Sequence, residues 1–507
     1  MISICTGWTS DMPDICLCLT AETMAQNNAL FRQYRSCIDM VELRVDLLSD
    51  AEQATLRADP ELAVREFHGV DSILTVRRKI DGGSWKRSEV ERIALLEHML
   101  PAGFTSIDVE ADQVGLSDRL SLIASARAAG VTVIASRHYM EYVPTDLDSE
   151  LQRLSAIGDY AKIAARPNGI ADFRRLLHAA RAHAGPHVVL GMGSYGVASR
   201  IMGHTFGNRF TFSSAADVQQ AASGHISPDV LQTLYAHGET GSATRYFAVA
   251  GDPIAHSKSP EYHNRRFRAD GLNALYVPFR VDDFDEFMEL ARELPLSGIS
   301  VTVPHKESAA RAAATVNEGV TATRACNTLI RQSDGSYRGV NTDIEGFLSA
   351  IRTRLSTFRG ATVLGAGGAA RAAVYALASE GVPVLVCNRT LSRAQTLVAE
   401  LGEILRDEGQ STALSAAALP GDGTDLGAYG DLIVQTSSVG MHPDHEGDPI
   451  PAYRFCGTET VYDIIYTPPM TPVLKRAQQA GCAIVNGSGM FDAQADAQYR
   501  LFRTVLP

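Results

Sequence analysis

The sequence is sparing with cysteine, has no excess of basic residues and contains no long apolar run. Its eight cysteines are scattered over 507 residues, and none forms a Cys-x-x-Cys pair, which argues against a zinc ribbon or a thioredoxin-like site. Such sparse use of cysteine in a large chain is typical of a reducing compartment. The net charge of −12 disfavours nucleic acid as the main partner.

Targeting signals are also missing from the sequence. No Lys or Arg precedes Arg32, whereas Asp11 and Asp14 do; a secretory signal needs an early positive charge, and a transit peptide needs arginines and few acids. No apolar run approaches the roughly 20 residues of a membrane span. We therefore expect a cytoplasmic protein with no membrane partner. Any anionic substrate has to be attracted by local basic groups.

Short β-rich runs recur through the first half, and helical stretches such as "EVERIALLEHML" lie between them. Alternation of strands and helices predicts a parallel sheet. About eight repeats over some 230 residues predict a closed (β/α)8 TIM barrel. An open doubly wound sheet is the alternative, but no Gly-rich phosphate turn follows the first run. The runs are 15–21, 40–48, 72–78, 106–111, 131–139, 160–166, 187–193 and 210–214.

Polar side chains on these predicted strands are candidates for an active site, because a barrel places its site at the carboxyl ends of its strands. Glu42, Arg44 and Asp46 alternate with apolar residues, so the period of two puts all three on one face. Helices cover the outside of a barrel, so we expect this face to point into the lumen. Further candidates at strand ends are Arg77, Asp81, Arg137, His138, Lys162 and Arg200.

Lys162 lies inside the apolar run "YAKIA". Burial of an ammonium costs several kcal/mol unless it is paired or loses its proton. A desolvated lysine among other cations becomes a nucleophile, and a nearby histidine can remove and return a proton. The combination indicates imine chemistry on an anionic carbonyl compound. The alternative is a strand-end lysine whose ammonium reaches solvent.

The first half resembles type I 3-dehydroquinate dehydratases through "ELRVD" (42–46), "TVRRKIDGG" (75–83), "SRH" (136–138), "YAKIA" (160–164) and "MGSYGVASR" (192–200). The resemblance implies that Lys162 is the Schiff-base nucleophile and His138 the general acid and base. It implies substrate contacts from Glu42, Arg44, Arg77 and Arg200.

Two positions depart from the dehydratase pattern. Asp81 stands where the family usually has Glu, and "AASGH" (221–225) stands where it reads Ser-Ala-Pro-Gly-Gln. Ala221 thus replaces a serine and His225 a glutamine. We expect Asp81 and His225 to contact the substrate, with His225 as a hydrogen-bond donor that titrates between about pH 6 and 8. The alternative is that this loop stays open and His225 is a solvated residue.

In the second half, "TVLGAGGAARAAVYAL" reads as a strand, a Gly-rich turn and a helix whose N-terminus can hold a pyrophosphate. The next strand ends in "NRT" instead of the acidic residue that binds the ribose of NAD, and arginine suits a 2′-phosphate. The pattern therefore favours NADP. The expected cofactor contacts are Gly365, Ala366, Gly367, Gly368, Ala369, Asn388, Arg389, Thr390, Arg393 and Gly489.

The second half resembles shikimate dehydrogenases through "GDPIAHSKSP" (251–260), "GISVTVPHK" (298–306), "ACNTLI" (325–330), "GVNTDIEGF" (339–347) and "GSGMFDAQA" (487–495). The resemblance implies a catalytic pair, Lys306 and Asp343, and a lysine beside a carboxylate is suited to deliver a proton to a ketone oxygen. The implied substrate contacts are Ser257, Ser259, Thr302, Asn327, Tyr466 and Gln494, with Asp343 also at a ring hydroxyl.

Together the two halves predict a bifunctional α/β enzyme of the shikimate pathway. It would dehydrate 3-dehydroquinate to 3-dehydroshikimate and reduce that product to shikimate with NADPH. No metal-ligand cluster appears, and the sequence leaves the oligomeric state open. The alternatives are a dehydrogenase with a catalytically inactive structural barrel and an NAD-using quinate/shikimate dehydrogenase. The predicted domains are a barrel (1–236), a linker (237–245), a substrate-binding domain (246–349, completed by 467–507) and a Rossmann domain (350–466).

Overall fold

The computed structural model describes residues 13–113, 115–215, 224–255, 257–421, 425–441 and 444–507. The chain forms two compact units, Met1–Leu296 and Ser297–Pro507. Within the described ranges, no helix has the length and apolar character needed to cross a membrane.

The first unit contains eight parallel strands, and β1 pairs with both β2 and β8. At the remaining seam, the side-chain amide of Asn208 bonds to both the N–H and the carbonyl of Val189. The predicted (β/α)8 barrel is confirmed. Its strands are β1 Asp14–Leu19, β2 Met40–Arg44, β3 Asp71–Thr75, β4 Ser106–Glu110, β5 Thr132–Tyr139, β6 Tyr160–Ala165, β7 His187–Gly191 and β8 Phe210–Ser214.

Local sequence signals define several of the barrel helices. Ser88 and Glu91 form a capping box at the start of α3, where each side chain accepts from the other residue's backbone N–H. Thr23 caps α1 and Ser49 caps α2 in the same manner with their hydroxyl oxygens. The helices are α1 Met24–Tyr34, α2 Asp50–Ala58, α3 Glu89–Met99, α4 Leu116–Ala128, α5 Leu147–Ile157, α6 Ile170–Ala182, α7 Val197–Ile201 and α8 Pro228–Thr233.

Alternate residues of the barrel strands belong to different apolar clusters, as a period of two requires. Residues such as Leu17, Val41 and Leu74 pack in the cluster that includes the helices. A separate apolar cluster is formed by strand residues that alternate with these and face the lumen. Its buried members are Cys16, Met40, Ile73, Ile134, Val188, Leu190, Phe210 and Phe212.

The predicted linker 237–245 is an ordered segment. His237 is buried and its Nε2 lies 2.8 Å from the carbonyl oxygen of Pro13, and Thr240 and Thr244 are also buried. The first unit then continues with β9 Arg245–Gly251, α9 Ser259–Ala269, β10 Ala274–Arg280 and α10 Phe284–Glu293. Strands β9 and β10 pair in parallel. The predicted domain boundaries stay a prediction.

The second unit begins with a mixed set of strands, in which β13 pairs antiparallel with β11 and β14, and β14 pairs in parallel with β12. Gly346 lets α13 approach α17, because a Cβ there would lie 2.8 Å from the Cβ of Gln494. The elements are β11 Gly298–Val301, α11 Lys306–Ala312, β12 Thr315–Val316, α12 Glu318–Thr323, β13 Thr328–Arg331, β14 Tyr337–Val340, α13 Asp343–Ile351 and, near the C-terminus, α17 Ser488–Arg503.

A six-stranded parallel sheet follows in the order β17-β16-β15-β18-β19-β20. The strand order reverses between β15 and β18, the switch point at which such sheets bind nucleotides. The predicted Rossmann fold is confirmed. Its elements are β15 Ala361–Leu364, α14 Gly368–Ser379, β16 Val384–Cys387, α15 Leu391–Asp407, β17 Leu414–Ala417, β18 Leu432–Gln435, β19 Thr460–Asp463, α16 Pro472–Gln479 and β20 Ala483–Val485.

Candidate active sites

Lys162 projects from β6 into the barrel lumen, where its side chain is 5% exposed. Its Nζ donates to Oδ2 of Asp108 at 2.7 Å and lies 3.9 Å from Oε1 of Glu42. The same nitrogen lies 3.9 Å from the centre of the Phe212 ring. The alternative of a lysine that reaches solvent is therefore wrong.

Asp108 is the anionic centre of the lumen. It binds the guanidinium of Arg77 through both oxygens, at 2.8 and 2.9 Å, while also accepting from Lys162. Arg77 makes a further bond of 3.0 Å to Glu110. Burial raises the pKa of Asp108, but the charges of Arg77 and Lys162 outweigh it and hold that pKa well below its usual range. Asp108 therefore stays ionised.

His138 ends β5 beside this cluster. Its Nδ1 is buried and has no hydrogen-bond partner among the described residues. Burial and then the positive charges of Arg77 and Lys162 lower the pKa of the ring well below its usual value. His138 is therefore a neutral imidazole, the form that can accept a proton.

Arg44 and Asp46 form a two-pronged pair, with both bonds at 2.9 Å. The Asp46 carboxylate also accepts from the backbone N–H groups of Arg77 and Ser84, at 3.0 and 2.9 Å. Asp46 thus ties Arg44 to the loop after β3. Glu42 instead accepts from the Thr75 hydroxyl at 2.9 Å.

Asp81 lies in the turn Lys79–Asp81 after β3. Its Oδ2 accepts from Nε of Arg78 at 2.7 Å, and burial raises the pKa of its carboxyl. Arg78 also contacts Asp112 at 2.9 Å. Asp81 is thus bound to Arg78 at the rim, and its predicted contact with the substrate stays a prediction.

Arg200 is buried on α7, where Nη1 donates to the carbonyl of Gly191 at 2.5 Å. Its Nε is buried without a partner, and no carboxylate pairs with it in the part of the chain that the structure describes. Burial lowers the pKa of Arg200 to about 10. An unpaired buried guanidinium is suited to hold an anionic ligand.

His225 lies close enough to Arg200 to be affected by its positive charge. Burial and then the charge of Arg200 lower the pKa of His225 to about 4, although the residue as a whole is exposed. This direction argues against a ring that titrates between pH 6 and 8, and both that titration and the contact of His225 with the substrate stay predictions. The first part of the altered loop, including Ala221, lies outside the described residues.

The second unit brings together the predicted catalytic pair and one predicted substrate contact. Nζ of Lys306, the first residue of α11, lies 2.6 Å from Oδ2 of Asp343, the first residue of α13. Asn327 donates to the other oxygen of Asp343 at 2.8 Å and accepts from the backbone N–H of Thr342 at 2.8 Å. The carboxylate is thus fixed by a neutral amide on one side and contacts the lysine on the other.

The remaining predicted substrate contacts of this unit are Thr302, Tyr466 and Gln494. Thr302 follows β11 and its carbonyl accepts from the N–H of His305 at 3.0 Å. The Tyr466 ring lies 5.3 Å from that of Phe491, and Gln494 lies on α17 at its contact with Gly346.

Ser257 and Ser259 belong to the first unit, in the loop between β9 and α9. The hydroxyl of Ser257 accepts from the backbone N–H of Ser259 at 3.3 Å, and Ser259 begins α9.

The Gly-rich turn after β15 fits a pyrophosphate. A Cβ at Gly365, whose φ is +121°, would lie 2.6 Å from Oγ1 of Thr436, so this position needs glycine. A Cβ at Gly367 or Gly368 would meet nothing within 4 Å, which leaves the N-terminus of α14 open to a ligand. Ala366 and Ala369 flank these glycines within the same turn.

Two exposed arginines follow β16. Neither Arg389 nor Arg393 makes an ion pair within the described ranges, and the Asn388 amide donates to the carbonyl of Thr390 at 2.9 Å. These arginines fit a 2′-phosphate. Gly489, at the start of α17, lines a cavity of about 380 Å³ together with Ala350, Pro469, Met470, Leu474, Ile484, Val485 and Asn486.

A family model for type I 3-dehydroquinase matches residues 15–241, and one for the shikimate dehydrogenase substrate binding domain matches residues 249–329. The chloroplastic bifunctional 3-dehydroquinate dehydratase/shikimate dehydrogenase of Arabidopsis thaliana is 32% identical, over 92% of this chain and 78% of that protein. The chain belongs to this bifunctional family.

Two further comparisons match one half or the whole of this chain. The shikimate dehydrogenase (NADP(+)) of Bacillus licheniformis is 37% identical over 50% of this chain and 90% of its own. The solved structure of dehydroquinate dehydratase and shikimate dehydrogenase from S. pombe AroM has 21% identity and a TM-score of 0.40, covering 98% of each chain.

In the dehydratase half, sequence reasoning missed Asp108 and Glu110. Both lie on one face of the β4 run "SIDVE", with the same period of two that singled out Glu42 and Arg44. In the dehydrogenase half it missed Thr342, which links Asn327 to the start of α13. The first signal was readable from the sequence, whereas the second needs the folded chain.

Proposed function

We propose that the two halves of this bifunctional enzyme carry out consecutive steps with the residues described above. The barrel converts 3-dehydroquinate to 3-dehydroshikimate, and the second half reduces 3-dehydroshikimate to shikimate with NADPH. The observation that carries the residue assignment is the buried Lys162 beside a neutral His138 with a free ring nitrogen.

In the dehydration, the uncharged amine of Lys162 attacks the substrate ketone, and loss of water gives a protonated imine. The imine acidifies the adjacent carbon, whose proton passes to the neutral ring of His138. The resulting imidazolium protonates the departing hydroxyl on the next carbon, which leaves as water. Hydrolysis of the imine then releases the product and returns Lys162, so one water is lost in total.

Asp108 and Arg200 support this sequence in different ways. Arg77 already holds Asp108 through two bonds, so the carboxylate keeps a cationic partner when Lys162 becomes a neutral amine. Arg200 offers a buried donor with no protein partner in the described chain, and we assign it to the carboxylate of the substrate. Both features favour an active dehydratase over a purely structural barrel.

In the reduction, Lys306 holds a proton at the substrate oxygen and Asp343 orients the ammonium, supported by Asn327. NADPH supplies the hydride when bound. The open glycines at 367 and 368 leave room for its pyrophosphate, and Arg389 and Arg393 supply charge for its 2′-phosphate. These arginines favour NADP over NAD and so disfavour the quinate-type alternative.

The partners of these sites are the small molecules of the two reactions. For location we propose the cytoplasm, on the sparse cysteines of the sequence, whereas the Arabidopsis relative is described as chloroplastic. Fractionation of the native cells with an antibody against the chain tests this location.

Borohydride trapping tests the dehydratase assignment. Full-length protein is incubated with 3-dehydroquinate and borohydride, and the peptide that contains Lys162 should gain the mass of the reduced adduct. The matched control is Lys306→Ala, which keeps Lys162 and should be labelled to the same extent. A label on another residue, or no inactivation, contradicts the imine mechanism.

A further inference from the structure

The two β/α repeats of the barrel that carry Lys162 and Arg200 both pack against residues 252–293. At the N-terminus of α6, which follows the strand of Lys162, Oδ1 of Asp282 accepts from the backbone N–H of Ile170 at 2.9 Å. A Cβ at Gly169 would lie 2.4 Å from the other Asp282 oxygen. Helix α6 is thus capped by a residue from the dehydrogenase half of the sequence.

The same helix contacts α10 along its length. The rings of Phe173 and Phe279 meet edge to face, with centres 5.8 Å apart. Arg174 pairs with Glu286 and Glu293, each at 2.5 Å. This part of the contact is apolar packing with ion pairs.

Arg280, at the end of β10, makes a different kind of contact. Its Nη1 donates to Oγ of Ser194 at 2.8 Å, and its Nε and Nη2 donate to the two oxygens of Asp252 at 3.1 and 3.2 Å. Its guanidinium carbon lies 4.7 Å from the centre of the Tyr195 ring. One side chain therefore binds a turn of the barrel and a loop of the dehydrogenase half at once.

The turn on the barrel side is closely packed and leads into α7. The N–H of Gly196 donates to the carbonyl of Gly193 at 3.1 Å, and a Cβ at Gly196 would lie 2.1 Å from the carbonyl carbon of Gly191. Ser199 donates to the Gly196 carbonyl at 2.6 Å and accepts from the Gly191 N–H at 2.9 Å. A shift of this turn would therefore also move Arg200, the residue that follows Ser199 on α7.

On the other side, Asp252 opens the loop that carries Ser257 and Ser259. The N–H of Ser257 donates to the carbonyl of Ile254 at 3.0 Å, and its hydroxyl accepts from Ser259. The loop is held by its own short bonds, so the anchoring of Asp252 affects where both serines lie.

We propose that Arg280 is a positioning residue shared by the two reactions. By binding Ser194 and Tyr195 it sets the position of Arg200 in the dehydratase site, and by binding Asp252 it sets the loop of Ser257 and Ser259. This inference rests on the proposed roles of Arg200 and of the two serines as substrate contacts.

The first test is Arg280→Met, which keeps the length of the side chain and removes its donors. The KM for 3-dehydroquinate and the KM for shikimate should each rise roughly 3- to 10-fold, with both kcat values within about twofold of wild type and the KM for NADP unchanged. In the ion pair, the side chain of Arg280 is 37% exposed and that of Asp252 is 32% exposed. Exposed pairs add little to stability. The thermal unfolding midpoint should therefore hardly move.

A second variant separates the effect on the barrel turn from the effect on the loop that begins at Asp252. In Arg280→Lys the ammonium can still face Asp252, but a point charge cannot bind both partners as a planar guanidinium does. The KM for shikimate should return close to the wild-type value while the KM for 3-dehydroquinate stays raised. A loss of folding would not produce this divided rescue.

The matched control is Arg174→Met, which breaks the neighbouring ion pairs and leaves the turn 193–196 untouched. It should leave both KM values unchanged. The proposal is overturned if Arg280→Met alters neither KM or only one of them, or if Arg174→Met has the same effect. Arg200→Ala tests the underlying function separately: if its KM for 3-dehydroquinate equals that of wild type, the substrate role of Arg200 is wrong, whatever Arg280→Met does to shikimate oxidation.

Discussion

Each half of the molecule holds a lysine against an aspartate, at 2.7 Å for Lys162 and 2.6 Å for Lys306. The surroundings of the two pairs differ far more than these distances. The side chain of Lys162 is 5% exposed and that of Lys306 is 28% exposed. Asp108 is shared with a guanidinium, whereas Asp343 is fixed by a neutral amide.

The difference matches the chemistry that each lysine has to perform. A nucleophilic amine must be uncharged when it attacks, and the guanidinium of Arg77 keeps Asp108 paired at that moment. A proton donor must carry its proton and regain it from water, which partial exposure allows. A lysine–aspartate contact alone therefore does not define a role, and its neighbours decide between nucleophile and acid.

The largest expected effect is that of Lys162→Ala. It removes the covalent step, so dehydration of 3-dehydroquinate should fall to the background rate. Shikimate oxidation should be unchanged, because its catalytic pair lies in the other unit. Enone absorbance and NADPH formation measure the two reactions separately. Residual dehydration above a few per cent would contradict an essential nucleophile.

The second prediction concerns the lysine–aspartate pair of the dehydrogenase half. Lys306→Ala and Asp343→Ala should each lower the turnover of shikimate oxidation by ~10²–10⁴-fold, the usual contribution of general acid–base catalysis. The KM for NADP should hardly change, and dehydration should be normal. A loss confined to cofactor binding would place the reacting centre elsewhere.

The third prediction compares the two carboxylates through stability. Asp108→Asn leaves Lys162 with only the more distant Glu42 and Arg77 with Glu110, and breaking a buried pair costs about 3–5 kcal/mol. Asp343→Asn should cost much less, since water can reach Lys306. Denaturant unfolding of both variants measures the difference. If both variants lost the same free energy of unfolding, burial would not determine how much each pair stabilises the fold.

Much of the architecture was predictable from the sequence. Eight β-rich runs separated by helical stretches predicted the barrel, and the Gly-rich turn predicted the second sheet. Period two within "ELRVD" identified Glu42 and Arg44, and the same pattern in "SIDVE" marks Asp108 and Glu110. Strand patterns in a parallel barrel are informative because the lumen selects every second residue.

The rest depends on partners that are distant in sequence. Asp81 binds Arg78 at the rim. Whether its carboxylate contacts Arg78 or points into the lumen depends on the backbone conformation of the turn Lys79–Asp81. Arg280 and Ser194 are 86 residues apart, and no spacing rule predicts such a contact. The low pKa of His225 arises from burial and then from the charge of Arg200, which lies on another element.

The fourth prediction compares how the halves hold anions, with a buried arginine in the barrel and exposed ones at the nucleotide site. Arg389→Ala should raise the KM for NADP about 10- to 100-fold, the value of a lost charge-assisted bond to phosphate. The rate with NAD should be nearly unaffected, because NAD lacks the 2′-phosphate. If the reactions with NADP and with NAD were impaired equally, Arg389 would not bind the 2′-phosphate.

The smallest effect concerns His225, near the buried Arg200. Its pKa of about 4 lies below the ordinary value of roughly 6.5, so the ring is neutral from pH 6 to 8 and gains charge only in stronger acid. A neutral ring has one donor at every pH in that range. The KM for 3-dehydroquinate should therefore show the same pH dependence in wild type and His225→Gln, while His225→Ala raises it a few-fold throughout. A rise in the wild-type KM between pH 6 and 8 that is absent from His225→Gln would show that the ring titrates there, and that burial and the charge of Arg200 do not hold its pKa near 4.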